Sequence, residues 1–166
     1  MAFVVRRAAE ADHPSLVAAI QALNAFEDPI SFDRDGSEAA AVACLALLLR
    51  RIAEDGAAFV AEADGAEADP TVIGHLFCVV EEAPPYVRPE HRRVAVVADA
   101  FVAEAWRGRG VFRALLVAAD AHARAVGCRR MLIGVLAGND RAERIYRAAG
   151  FRPYAAELIR DLDAGP

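Results

Sequence analysis

Between Val94 and Leu136 the sequence sets two glycines among arginines: Trp106-Arg107-Gly108-Arg109-Gly110-Val111-Phe112, with Arg113 next. An apolar run from Val94 to Ala103 precedes this turn. A stretch with Phe112, Leu115, Leu116, Ala119 and Val126 at helical spacing follows it. A strand that passes through glycine into a helix can bind an anion. Glycine lets backbone N–H groups approach an oxygen with no Cβ in the way. The helix start near Val111 offers unsatisfied N–H groups and the positive end of its dipole. Arg107, Arg109 and Arg113 add positive charge, so a pyrophosphate fits these requirements. The same residues also read as a tight turn with solvated arginines, and the turn alone does not choose between the two. Two named phosphate loops are excluded. A dinucleotide fingerprint needs a third glycine where Arg113 stands, and a Walker A loop needs lysine, which the chain lacks.

Other reactive groups are sparse. Cys44, Cys78 and Cys128 are far apart and odd in number, which excludes a disulfide framework and argues against zinc. His13, His75, His91 and His122 have no ligand spacing and are read as surface or packing residues, so no metal is expected. All 19 basic residues are arginine, so a lysine Schiff base is impossible. Net charge is −5, which disfavours nucleic acid as a partner. The charge is unevenly placed: residues 1–69 carry 13 acids and 5 arginines, whereas residues 105–152 carry 10 arginines against Asp120, Asp140 and Glu143.

The elements that must position these groups fit one domain spanning 1–166, since 166 residues allow one sizeable core. Mean hydropathy is +0.23, raised largely by alanine. No apolar run reaches membrane-spanning length and no h-region opens the chain, so a cytoplasmic protein without a membrane partner is expected. The predicted order is β-α-α-β-β-β-α-β-α-β. Phe3–Arg6 is a strand, and Asp12 caps a helix carrying Leu16, Ile20 and Leu23 on one face. A loop over 24–36 holds Glu27, Asp28, Asp33 and Asp35, and a helix runs from about Glu38 to Ile52. Strands at 57–62 and 71–81 form a hairpin around Asp64-Gly65. A proline-rich loop over 83–93 leads into the strand before the glycine turn. After the helix, stopped by Gly127, come a strand over 131–136, a helix from Asn139 with Asp140 and Glu143 at capping-box spacing, Gly150 at its end, and a strand over 155–162. Strand-helix-strand around the turn implies a parallel pair with a right-handed crossover, and the hairpin before it makes the sheet mixed.

Arg107-Gly108-Arg109-Gly110-Val111-Phe112 resembles the Arg/Gln-x-x-Gly-x-Gly/Ala acetyl-CoA loop of the GNAT N-acetyltransferase superfamily. Asn139-x-x-Ala142-x-x-x-Tyr146-x-x-x-Gly150-Phe151 resembles that family's second signature, one helix and one strand further on. The resemblance implies an α/β (α+β) fold with a mixed central sheet of six to seven strands and four helices. It implies acetyl-CoA in a V-shaped gap between the strand ending near Val102 and the strand 131–136. Phe101 and Val102 are then expected to supply backbone bonds to the pantetheine arm, with the Val102 N–H on the thioester oxygen. Arg107, Gly108, Arg109, Gly110, Val111 and Phe112 hold the pyrophosphate, and Asn139 contacts the cofactor besides capping its helix. The last loop position departs from the pattern: Phe112 stands for Gly or Ala, so its ring must turn to the core.

By the same resemblance, a neutral amine attacks the thioester and Tyr146 is the acid that protonates the leaving sulfur. A base is not fixed: Asp99, Glu104, Glu81 and Glu82 are candidates, and Ala98 stands where relatives carry a glutamate. Asp99 shares a strand face with Phe101 and Ala103. The acceptor pocket is expected from the first two helices. Glu27 and Asp28, with Asp33 and Asp35, would attract a cationic amine while the arginine-rich half holds the anionic cofactor. A small-molecule primary amine is therefore the expected acceptor. A protein N-acetyltransferase and a non-catalytic acetyl-CoA-binding domain are the alternatives, and a homodimer is a family-level expectation. Pro84-Pro85-Tyr86 and His91 are read as a cover for the acceptor site or a subunit contact, and Trp106 as a packing residue.

Overall fold

The computed structural model describes residues 2–63 and 71–162. The predicted Asp64-Gly65 turn lies outside the described residues. In chain order the elements are β1 (Phe3–Arg7), α1 (His13–Ser31), α2 (Glu38–Arg51), β2 (Ala57–Ala63), β3 (Thr71–Glu82), β4 (Arg93–Val102), α3 (Val111–Ala125), β5 (Met131–Ile133) and α4 (Asp140–Ala148). The strands form one mixed α/β sheet in the order β1-β2-β3-β4-β5. Pairing is antiparallel through β4 and parallel between β4 and β5. Among the described residues no helix is long and apolar enough to cross a membrane.

Strand alternation supplies a core on each face of the sheet. Leu16 and Ile20 of α1 and Ala41, Leu45 and Leu48 of α2 pack on Ala58, Val60 and Phe77. On the opposite face, Val111, Leu115, Leu116, Ala119 and Ala123 of α3 cover Phe59, Ala61, Leu76, Cys78, Ala95 and Val97. Helix ends follow local chemistry. The Ser37 hydroxyl accepts the Ala40 N–H at 3.1 Å and starts α2. Gly127 at φ +87° ends α3 while the Cys128 N–H returns to the Ala123 carbonyl at 2.9 Å.

Several expectations need correction. The segment 24–36 is not a loop: α1 continues to Ser31, because nothing between Gln21 and Asp28 breaks the helix and Pro29 falls in its last turn. Phe32, at φ 60°, closes it with its N–H on the Asp28 carbonyl at 2.7 Å. Among the described residues the sheet has five strands and not six or seven. Residues 155–162 form no strand, because β5 presents an edge only three residues long and gives them no ladder to extend. The strand predicted over 131–136 stops at Ile133. In α4 the cap is Asn139, whose side chain accepts the Ala142 N–H at 3.1 Å, while Glu143 bonds Arg147.

Asp12 is not a side-chain cap for α1. Its buried carboxylate accepts from Arg6 at 2.7 and 2.8 Å and from the Ala9 N–H at 2.7 Å. The Arg6 guanidinium holds the Asp12 carboxyl below the ordinary value of 3.8. Such a group adds stability that is complete above its unfolded value and vanishes as pH falls through the lower folded one. We therefore expect Asp12→Asn to cost about 1–2 kcal/mol in urea unfolding at pH 7, with Arg6 partly exposed. The gap between variant and parent closes as the pH drops below 3.8.

Candidate active site

The site begins with a break in the sheet. Phe77 pairs with Asp99 and Cys78 with Val97, so Ala98 is an extra residue on β4. β5 pairs with Ala95, Val96 and Val97 and no further. Beyond this bulge β4 runs on to Val102 beside β3 alone, and a gap opens on its other side. The Ala103 N–H bonds Ile73, and the Phe101 carbonyl lies against Gly74 of β3. Alternation therefore turns the backbone groups of Val102 to the gap and those of Phe101 to β3. The Val102 carbonyl accepts from Arg107 Nε at 3.0 Å.

At the mouth of this gap lies the glycine turn. Gly108 and Gly110 have φ of +74° and +83°, and no atom lies within 4 Å of a Cβ built on either. The turn thus leaves open space over its backbone. Gly110 is the N-terminal flank of α3, and no side chain caps that helix. Its first N–H groups therefore face the open space. Phe112 turns to the core, as its bulk requires, and its ring lies 5.5 Å from that of Tyr146. The arginines are more restrained than solvated side chains would be. Arg107 bonds Val102 and lies 5.9 Å over the Phe26 ring of α1, and Arg109 lies 5.5 Å over Trp106. Trp106 packs edge-on against Phe3.

Three charged or polar groups converge beside the gap. Tyr146 of α4 is partly buried between Phe112 and Phe151. Burial, then the charges of Glu27 and Asp99, push its hydroxyl up to about 12. Glu27 stands in the last turns of α1, where it accepts from Arg34 at 3.2 Å. Ile30 from the same turns lies beside Gly138, just before Asn139. So α1, extended past its predicted end, reaches the segment just before α4. Asn139 is buried, with its side-chain oxygen on the helix cap.

Other predicted residues are not brought here. Asp28 is exposed and accepts the Arg34 N–H, Asp33 pairs with Arg34, and Asp35 bonds the Ser37 N–H. Glu81 pairs with Arg51 at the far end of β3, about 20 Å along the strand from His75. Glu82, opposite Arg93, lies at that same end. The loop with Pro85 and Tyr86 is also there, tied by Arg92 to the Pro85 and Val87 carbonyls, so it does not cover the gap. Glu104 is exposed. Of the base candidates, Asp99 alone joins Tyr146. Sequence reasoning missed its partner: His75, fully buried, contacts Asp99 Oδ1 through Nε2 at 2.5 Å. The signal was available as one polar residue in each of two neighbouring apolar strands, since buried polar groups need partners.

A family model described as Acetyltransferase (GNAT) family matches residues 18–151. This chain belongs to the GNAT acetyltransferase family. The match takes in the bulged strand, the glycine turn and α4. An uncharacterized N-acetyltransferase, YycN of Bacillus subtilis (strain 168), is 34% identical over 78 residues, 46% of this chain. The aligned stretch spans 50% of that relative's length. Among solved structures, AAC(6')-Iy in complex with the bisubstrate analogue CoA-S-monomethyl-acetylneamine has a TM-score of 0.71 at 19% identity, over 97% of this chain and 98% of that one. The tetramutant of BH1408 from Bacillus halodurans has a TM-score of 0.77 at 16% identity, over 96% and 99%. Glucosamine-6-phosphate N-acetyltransferase from Arabidopsis thaliana has a TM-score of 0.69 at 14% identity, over 98% and 100%. These likenesses establish the GNAT fold.

The Tyr146 environment has a spectroscopic consequence. At pH 10, where a free phenol is half ionised, the difference spectrum between parent and Tyr146→Phe should show no phenolate band. Asp99→Asn should lower the onset of that band on further titration. A half-ionised phenolate contribution at pH 10 would contradict the buried, anion-flanked position.

Proposed function

We propose that this GNAT family member transfers the acetyl group of acetyl-CoA to a primary amine of a small cationic molecule. The observation that carries this reading is the convergence of Tyr146, Asp99 and Glu27 where β4 departs from β5, beside a glycine turn with open space above it. The residues present fit acetyl-CoA. The backbone of Gly108 to Phe112 would hold the pyrophosphate, with Arg109 and Arg113 adding charge and Arg107 fixing the turn to Val102. The Val102 backbone, turned to the gap, would bond the pantetheine arm or thioester oxygen, with Asn139 beside it. Phe101 then contributes its ring to the acceptor side and not a backbone bond. Bound acetyl-CoA supplies a thioester whose carbonyl carbon bonds the amine nitrogen as the carbon–sulfur bond breaks.

The chain's own groups move the protons. Asp99 accepts the proton that the amine must lose before and during attack. The Val102 N–H donates to the oxygen on which negative charge develops. Tyr146 gives its hydroxyl proton to the departing sulfur; a hydroxyl pushed up to about 12 is fully protonated at neutral pH and available for that step. Glu27 presents a carboxylate to an incoming ammonium, and Arg34 offsets part of its charge. A compact cation suits two acids beside Tyr146, and AAC(6')-Iy, of similar fold, is an aminoglycoside N-acetyltransferase.

Thiol release from acetyl-CoA is the deciding measurement, with spermidine, neamine and an unblocked dipeptide as acceptors. We expect turnover of a polyamine or aminosugar, and a kcat lowered about 100-fold in Tyr146→Phe. Glu27→Gln should raise KM for the amine several-fold at nearly constant kcat, whereas Asp28→Asn should change neither. Calorimetric binding of coenzyme A without turnover of any acceptor would favour a non-catalytic acetyl-CoA-binding domain. Faster turnover of the dipeptide would favour a peptide acceptor.

A further inference from the structure

His75 is a costly residue for its place. It sits in the middle of β3, fully buried, with Phe77 edge-on at 5.6 Å and Phe101 stacked at 6.2 Å. Its Nδ1 is buried and has no hydrogen-bond partner among the described residues. A leucine would fill such a space with no orphaned polar atom. Among the described residues the one polar link of the ring is Nε2 to Asp99 Oδ1. Because a carboxylate only accepts, Nε2 carries the proton and donates it.

Asp99 occupies the opposite situation. Its side chain keeps 11% exposure, and Oδ2 makes no hydrogen bond among the described residues. Facing it are His75 from β3, Cys44 from α2, Tyr146 from α4 and, beside Tyr146, Glu27 from α1. Arg107 is turned away to the Val102 carbonyl.

We propose that His75 is a positioning residue for the acceptor side of the reaction: its Nε2–H pins Asp99 Oδ1 and so aims Oδ2 at the amine. This rests on the reading of Asp99 as the proton acceptor. The bulge at Ala98 makes the aim necessary. It leaves Asp99 on the acceptor face next to the gap, where a carboxylate without a partner would rotate freely about χ2. The stacked Phe101 and edge-on Phe77 hold the imidazole in turn. When the amine gives up its proton to Oδ2, the donated hydrogen bond stays on Oδ1, and the proton leaves later to solvent along the exposed edge of Asp99.

Three variants of the full chain separate this role from simple packing: His75→Leu, His75→Gln and Asp99→Asn, each assayed with acetyl-CoA and the fastest acceptor of the spermidine and neamine panel. Asp99→Asn should lower kcat by about 100-fold or more. His75→Leu should lower it by about 10- to 100-fold, the range that orienting partners supply, with the Kd for coenzyme A unchanged. His75→Gln keeps a donor on its own Nε2 and should restore most of kcat. Parental kcat in His75→Leu, while Asp99→Asn is impaired, would overturn the inference. An equal fall in the leucine and glutamine variants would also overturn it, since that marks a packing residue. Undiminished turnover in Asp99→Asn would remove the base reading itself and the inference with it.

Discussion

One extra residue in β4 governs what the rest of the molecule can do. A regular ladder would have carried the β4–β5 pairing to the ends of both strands and left no space between them. The bulge at Ala98 ends it at Val97 and Ile133. Past that point each residue of β4 has a partner on one side only, so alternate backbone groups near Val102 face an opening and not a neighbour. Unpaired backbone at a sheet interior is costly unless something else bonds it. Arg107 does so for the Val102 carbonyl. The bulge also resets alternation: Val97 and Ala100 both belong to the α3 side of the core, while Ala98 packs with α1 and α2. That shift carries Asp99 to the face where Tyr146 and Glu27 stand.

Charge is organised around the same break. Arginine is concentrated in the half of the chain that holds the glycine turn, and two of its guanidinium groups are docked on aromatic rings. Arg107 lies on Phe26 and Arg109 on Trp106. The start of α3 at Gly110 has no side-chain cap. On the acceptor side, Arg34 ties down Glu27 and Asp33 and leaves an acidic surface of reduced net charge. Arg107 also joins the two sides, since it touches β4 with its nitrogen and α1 with its face. An Arg-to-Lys exchange there would keep charge but lose the planar stack.

The parts of this arrangement that repeat along the chain were legible in the sequence. The glycine turn between strand and helix, the apolar face of α3 and the Asn139 to Phe151 signature depend on local spacing, and the structure has them where spacing put them. What stayed hidden depends on partners distant in sequence. The end of α1 was read as loop because Glu27, Asp28, Asp33 and Asp35 are polar, yet polarity does not break a helix and Phe32 in a left-handed conformation does. The last strand was read from apolar content at 155–162, but a strand needs an edge, and β5 is too short to provide one. The pairing of His75 with Asp99 crosses between strands, and no spacing rule within either strand reports it. Of the neighbouring acids Glu27 and Asp28 on α1, only Glu27 acts on Tyr146, and acidity alone does not report which one the helix phase turns that way.

The replacement at position 112 ties these levels together. A glycine or alanine at that point of the turn would leave α3 free to settle by its own core face alone. Phe112 instead places a ring 5.5 Å from Tyr146, and Phe151, brought in by the Gly150 turn, meets the tyrosine edge-on at 6.2 Å. The tyrosine is clamped between a residue of the first turn of α3 and a residue just past α4. Clamping removes rotamers that the tyrosine side chain would otherwise sample, and so fixes where its hydroxyl lies. It also means that the amides of the α3 start and the hydroxyl of Tyr146 form one packed unit, so their relative position is set by aromatic contact and not by the loops that connect them.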